Sequence, residues 1–164
     1  MSDLVIFVSW SGSQSKAAAE AVKEFLESVI QAAEVFVSSS DIAAGSRWND
    51  EIIEKLRESG FGIVCLTKEN LNAPWILFEA GALSQMVDSI RVSPLLIGVE
   101  PSDLKAPMSS FQATRLISHD IKKLVFSIFD KSGVRDTKRD AVGRTFDALW
   151  PEFETKILKI QDLL

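Results

Sequence analysis

One stretch of the sequence sets a carboxylate among apolar and aromatic residues, a setting in which a carboxylate can do chemistry. Glu79 lies between Leu77-Phe78 and Ala80-Gly81-Ala82, and Trp75 precedes it by four positions. On a helix, residues four apart lie on one face within contact distance. A rim carboxylate paired with a lysine is the alternative interpretation, but carboxylates in apolar settings are also common in functional sites. Glu79 and Trp75 are therefore candidate site residues.

Other catalytic residue sets are poorly represented. His119 is the only histidine, so a Ser-His-Asp triad would have to recruit it from a distant segment. Cys65 is the only cysteine and lies in the apolar run 61–67, which predicts a buried structural thiol. With one histidine and one cysteine we predict no metal site. Neither G-x-G-x-x-G after the first strand nor G-x-x-x-x-G-K-[ST] occurs, so neither of these phosphate-binding motifs applies.

The elements that must position these residues alternate between strand and helix. Apolar runs predict strands at residues 4–8, 34–38, 61–67, 95–99 and 114–117. Helical periodicity begins at Ser15 and recurs near residues 48–56, 74–87, 124–129 and from Asp140 onwards. We expect the fourth strand to begin just after Pro94, and the last helix to be interrupted or kinked at Trp150-Pro151.

This alternation favours parallel strands joined by right-handed crossovers. We predict an α/β fold with a five-stranded, doubly wound, flavodoxin-like sheet of order 2-1-3-4-5, helices on both faces and an added C-terminal helical segment. The 164 residues fit a single domain, with a core over about residues 3–130 and an extension over residues 131–164.

In such a sheet, ligands bind beyond the carboxyl ends of the strands where strand order reverses, here between the first and third strands. The segments expected at that edge are residues 9–13, 39–47 and 68–79, and they hold the chemically richest residues of the sequence. We therefore place the candidate site there.

Composition and charge limit the environment and the partners. With 46% apolar and 25% charged residues, the chain has the composition of an ordinary globular protein. Its formal net charge is −5 and its basic residues are scattered, so we expect no nucleic-acid partner. No apolar stretch approaches the ~18 residues of a membrane span, and Asp3 stands where a signal peptide carries positive charge. We expect a cytoplasmic location without a membrane partner.

Five segments, taken by order and spacing, form a recognisable series. They are the opening strand 5–9, the loop 41–48 from Asp41 through Gly45 to Trp48, the strand 63–67, the W-x-x-x-E pattern of Trp75 and Glu79, and the proline-containing strand 91–96. Together they resemble the Toll/interleukin-1 receptor (TIR) domain family over roughly residues 3–130, and in particular bacterial TIR domains similar to those of Thoeris antiphage defence. Ala43-Ala44 replaces the proline of many receptor TIR domains, which argues against a receptor-adaptor role.

The resemblance implies an NAD+ glycohydrolase or ADP-ribosyl cyclase with Glu79 as its catalytic carboxylate. NAD+ is then the substrate, and no cofactor is needed. Cleavage passes through an oxocarbenium-like state. Because nicotinamide departs as a neutral group from a cationic pyridinium, one carboxylate that opposes the developing charge suffices. The product implied is ADP-ribose or a cyclic isomer, made as an antiphage signal that a separate effector reads.

Candidate substrate-binding residues lie in the three edge segments. Tryptophan faces could hold the flat rings of NAD+, with core packing as the alternative for each. Backbone N–H groups of the loop 9–13 and of the adjoining helix N-terminus could hold pyrophosphate. The full set is Ser9, Trp10, Asp41, Gly45, Arg47, Trp48 and Trp75.

Two other functions remain open. One is a nucleoside deoxyribosyltransferase-like enzyme, which also uses a glutamate against a glycosidic bond, and the other is a TIR interaction module without catalysis. The resemblance further implies self-association through TIR–TIR contacts, in which the loop 39–47 closes the site against a neighbouring copy in a head-to-tail assembly.

Overall fold

Five parallel strands form one sheet within the residues that the computed structural model describes, which are 4–37, 60–72, 91–105, 109, 111–132 and 138–162. The strands are β1 (Leu4–Ser9), β2 (Ala33–Val37), β3 (Phe61–Leu66), β4 (Arg91–Leu96) and β5 (Thr114–Arg115). Their order is β2-β1-β3-β4-β5, and every neighbouring pair is parallel. The predicted α/β fold and strand order are confirmed.

β3 lies at the centre of the sheet, and all six of its residues are buried. Such burial on both faces explains why its sequence is a continuous apolar run without polar alternation. Cys65 lies in this strand, and burial raises the pKa of its thiol to about 12. The thiol therefore stays protonated and takes part in packing, as predicted.

β4 corrects one prediction. The strand does not begin after Pro94; it begins at Arg91 and contains the proline, as the resemblance to the TIR strand 91–96 implied. Pro94 aligns with Val64 of β3, whereas β5 aligns only with Leu95 and Leu96. The proline thus precedes the part of β4 that pairs on both sides, where a missing N–H is better tolerated.

Three long helices accompany the sheet in the described ranges: α1 (Ser13–Val29), α2 (Ser118–Ser132) and α3 (Arg139–Asp162). A short 3-10 turn spans Pro101–Asp103. α1 begins at Ser13, earlier than the predicted Ser15, and buries the apolar stripe that its period indicated, including Ala18, Val22 and Phe25. The predicted helices near residues 48–56 and 74–87 lie outside the described residues.

α3 contains Pro151 and is not interrupted there, so the predicted interruption is wrong, whereas the predicted kink stays a prediction. A proline inside a helix costs about 3 kcal/mol or more. Packing on both sides of it offsets that cost: Phe25 of α1 stacks on Phe153 with ring centroids 4.3 Å apart and meets Phe146 edge-on at 5.4 Å. Burial of each apolar side chain contributes about 1.5–3 kcal/mol, so the burial of Phe146 and Phe153 is large enough to offset the cost of the proline.

The C-terminal extension shares the hydrophobic core of the sheet. Val142, Phe146 and Ile157 of α3 belong to the same buried cluster as Ile6 of β1 and Ile63 of β3. Within the described part of the chain, none of the helices is both long enough and apolar enough to cross a membrane.

Candidate functional site

The carboxyl ends of β1 and β3 lie side by side at the point where strand order reverses. Ser9, the last residue of β1, aligns with Val64 of β3. Its hydroxyl is buried and lies 3.5 Å from the carbonyl oxygen of Ile63. This pairing brings the loop between β1 and α1 beside the loop that follows β3, as the predicted strand order requires.

Trp10 follows Ser9 and is largely buried as part of the core cluster. The Lys16 ammonium lies 5.5 Å from the centroid of its ring, a cation–π distance. This geometry corresponds to the core-packing alternative considered for the tryptophan. A role for Trp10 in binding a ring of NAD+ stays a prediction.

The loop after β1 is closed by a reciprocal serine contact. The Ser11 backbone N–H donates to Ser15 Oγ at 2.8 Å, and the Ser15 hydroxyl donates back to the Ser11 carbonyl. Both residues are buried. Two backbone groups of Ser11 are therefore satisfied within the loop itself, which holds the chain in a tight turn before α1.

Asn70 joins this loop to the segment after β3. Its amide nitrogen donates to the Ser11 carbonyl at 3.0 Å and to the Cys65 carbonyl at 2.9 Å. Its amide oxygen accepts the Thr67 backbone N–H at 2.8 Å. One buried side chain thus makes three hydrogen bonds, two at the end of β3 and one across to the loop after β1.

The N-terminus of α1 is occupied by a carboxylate from the other loop. Glu69 Oε1 accepts the Gln14 backbone N–H at 3.3 Å, whereas α1 has no side-chain cap from its own Gly12 and no acidic residue in its first turn. A negative charge at a helix N-terminus is favourable. Of the backbone N–H groups that we expected to hold pyrophosphate, that of Gln14 therefore already faces an anionic side chain.

The C-terminal helix also reaches this edge of the sheet. The Gln14 side-chain amide donates to the carbonyl of Ile160 near the end of α3 at 3.1 Å, and Gln161 lies beside Gly98, just after β4. Two buried side-chain oxygens, Gln14 Oε1 in α1 and Thr67 Oγ1 just after β3, have no hydrogen-bond partner among the described residues.

Of the predicted site residues, the structure places Ser9 and Trp10 at this edge. The others lie outside the described residues, so their roles stay predictions: Asp41, Gly45, Arg47, Trp48, Trp75 and Glu79. Glu69 and Asn70 lie in the predicted edge segment 68–79, but neither is a predicted site residue. Their partners lie 55 and 59 positions away, respectively, a relation that no local pattern reveals.

His119 lies on α2 and belongs to neither of these two loops. It is exposed on α2 and lines a shallow groove of about 310 Å³ whose other lining residues also come from α2 and α3, among them Phe126 and Arg139. No group of three or more His, Cys, Asp or Glu side chains with metal-binding geometry occurs in the ranges described.

Comparison with known protein families agrees with the sequence series. The family described as "TIR domain" matches residues 6–125. None of the curated proteins matches the chain. Among solved structures, the chain is similar to the TIR domains in a structure of the activated Roq1 resistosome directly recognizing the pathogen effector XopQ. The sequence identity is 17% and the TM-score is 0.47, and the match covers 97% of this chain and 84% of that chain. Since the family match extends from β1 into α2 and covers most of the chain, the protein belongs to the TIR domain family.

Proposed function

We propose that this TIR domain cleaves NAD+ at the nicotinamide N-glycosidic bond, with Glu79 as the catalytic carboxylate. The family includes NAD+ hydrolases. The observation that carries the proposal is the joining of the β1 loop to the β3 loop through Ser11 and Asn70 at the strand-order reversal. From Asn70 the chain continues after only a few residues into the W-x-x-x-E pattern of Trp75 and Glu79.

In the proposed reaction the bond between ribose C1′ and the nicotinamide nitrogen breaks, and its electron pair stays on that nitrogen. Nicotinamide leaves neutral, so no general acid is required. The Glu79 carboxylate opposes the positive charge that develops on the ribose. Water then attacks C1′ and releases a proton, which gives ADP-ribose. Attack by a nitrogen of the adenine ring in place of water gives a cyclic isomer.

The proposal also assigns the substrate-binding residues. Trp48 and Trp75 would supply aromatic faces, and Ser9, Trp10, Asp41, Gly45 and Arg47 would complete the substrate-binding set. Pyrophosphate would approach the N-terminus of α1, where it meets Glu69. We further propose that the product is an antiphage signal for a separate effector, and that copies of the chain associate through TIR–TIR contacts to complete the site.

The test is incubation of the purified protein with NAD+ and, separately, with deoxynucleosides, followed by separation of products by mass. We expect nicotinamide with ADP-ribose or a cyclic isomer, and no transfer of deoxyribose. Deoxyribose transfer would identify a deoxyribosyltransferase-like enzyme. No product from either substrate, at any protein concentration, would identify a non-catalytic interaction module.

Two glutamate-to-glutamine variants test whether Glu79 is the catalytic carboxylate for NAD+ cleavage. Glu79→Gln keeps the side-chain shape but removes the charge, so turnover should fall on the order of 10²-fold or more. Its melting temperature should stay near the wild-type value or rise. Glu34→Gln makes the same change at an exposed position of β2 and should leave turnover unchanged. Near-normal turnover in Glu79→Gln would remove Glu79 from the proposed mechanism.

A further inference from the structure

The hydrogen bonds of Asn70 reach beyond the end of the sheet. The parallel pairing of β1 with β3 ends at Ser9 and Val64. Past that point β1 ends and β3 continues only to Leu66. The Asn70 amide bonds to Ser11 across 59 positions of sequence. Backbone pairing between strands cannot hold Ser11 and Asn70 together, because neither residue belongs to a strand. The side-chain amide of Asn70 makes the connection instead.

Asparagine is well matched to this position. It is only 1% exposed, and both protons of its amide nitrogen and its amide oxygen are used. Aspartate has the same shape but no proton to donate, so it would set a negative charge against the Ser11 and Cys65 carbonyl oxygens. Serine is too short to make all three bonds. The pattern therefore demands an amide of this length.

The groups that bond to Asn70 fix the position of the segment that begins after β3. Thr67 and Cys65 belong to the end of β3 and the turn after it, whereas Ser11 belongs to the loop that leads into α1. Asn70 thus holds the origin of the segment that leads to Trp75 and Glu79 at a defined distance from the loop that precedes α1. An error of about 1 Å in the placement of a catalytic group can reduce a rate by about 100-fold.

We propose that Asn70 is a positioning residue for NAD+ cleavage, which holds the start of the segment after β3 against the loop after β1. This inference rests on the proposed function. It predicts that loss of the amide lowers kcat, whereas loss of a buried side-chain hydrogen bond elsewhere in the sheet does not. A residue with a merely structural role would affect stability alone.

The experiment compares Asn70→Asp with Ser93→Ala, each assayed well below its own melting temperature. Ser93→Ala is the matched control, because it removes a buried side-chain hydrogen bond to Thr114 at 2.9 Å between β4 and β5. If Asn70→Asp shows no cooperative melting transition, Asn70→Ser, which adds no charge, takes its place. Turnover of NAD+ gives kcat and KM, and amide hydrogen exchange reports on the two loops.

We expect kcat of the Asn70 variant to fall by about 10- to 100-fold, with kcat of Ser93→Ala within about twofold of wild type. Hydrogen exchange in residues 10–14 should accelerate by about 10-fold or more in the Asn70 variant only. Equal kcat values for the two variants, or unchanged exchange in residues 10–14, would overturn the inference. A wild-type chain that releases no nicotinamide contradicts the proposed function instead, and exchange then still decides whether Asn70 holds the loops together.

Discussion

Glu69 Oε1 lies 3.3 Å from the backbone nitrogen of Gln14, so a carboxylate from the loop after β3 caps the helix that follows β1. A helix N-terminus favours an anion of any origin, protein or ligand. If NAD+ binds as proposed, its pyrophosphate group and the Glu69 carboxylate would compete for the same end of α1. We therefore predict that Glu69 lowers the affinity for NAD+ by repulsion.

Glu69→Gln should therefore lower KM for NAD+ by several-fold, because the competing charge is removed while the side-chain length is kept. The same change should cost α1 about 0.3–1 kcal/mol of favourable charge–helix interaction. Steady-state kinetics and urea denaturation measure the two effects. Glu34→Gln on β2 is the control and should change neither. A KM that rises in Glu69→Gln would mean that Glu69 helps to hold the substrate.

Gly12→Ala tests the same contact from the backbone side. Gly12 has φ of 88° and ψ of 160°, a conformation that is essentially restricted to glycine and costs another residue about 1–3 kcal/mol. A methyl group there would also overlap Glu69 Oε1, which is the end of a flexible, exposed side chain and can move aside. We expect a loss of about 1–3 kcal/mol in the free energy of unfolding.

The double variant separates backbone strain from the carboxylate contact. Because the methyl group in Gly12→Ala already displaces Glu69, adding Glu69→Gln should change stability by less than Glu69→Gln does alone. Urea denaturation of the two single variants and the double variant gives the comparison. Strictly additive losses would show that Glu69 keeps its contact with α1 after the methyl group is added.

The contribution of α3 to stability is tested by two apolar positions on the same helix. Phe153 is buried and stacks on Phe25, whereas Leu158 is 50% exposed. Phe153→Ala should reduce the free energy of unfolding by about 3–5 kcal/mol. Leu158→Ala should change it by less than about 0.5 kcal/mol. Comparable small losses at both positions would show that α3 is an appendage that the core does not require.

Mixing two inactive variants tests whether neighbouring copies share the site. Glu79→Gln removes the carboxylate, and Gly45→Pro disrupts the loop 39–47. In a head-to-tail assembly, some mixed interfaces pair an intact Glu79 with an intact loop, so NAD+ turnover should partly return on mixing. The specific activity of the wild type should also rise with protein concentration. Full activity in a dilute, strictly monomeric sample would rule out a shared site.

Local pattern alone determined the fold class and most element positions. The apolar runs at β1 and β3 and the helical period of α1 appear in the structure within a few residues of their predicted bounds. This agreement has a physical cause, because burial on both faces of a parallel sheet and on one face of a helix imposes periods that the sequence must carry. The alternation of elements indicated parallel strands, and the flavodoxin-like order predicted for them gave the location of the candidate site.

Tertiary structure decided two kinds of feature: whether an element can contain a proline, and which distant residues form hydrogen bonds. Pro94 reads as a strand boundary and Pro151 as an interruption or kink, yet β4 and α3 contain them because pairing with β3 and packing on Phe25 outweigh the local cost. Likewise, nothing near Asn70 or Glu69 in the sequence identifies Ser11 or Gln14 as its partner. These side chains act through hydrogen bonds between segments more than 50 positions apart, and such bonds exist only once the sheet has brought the two loops together.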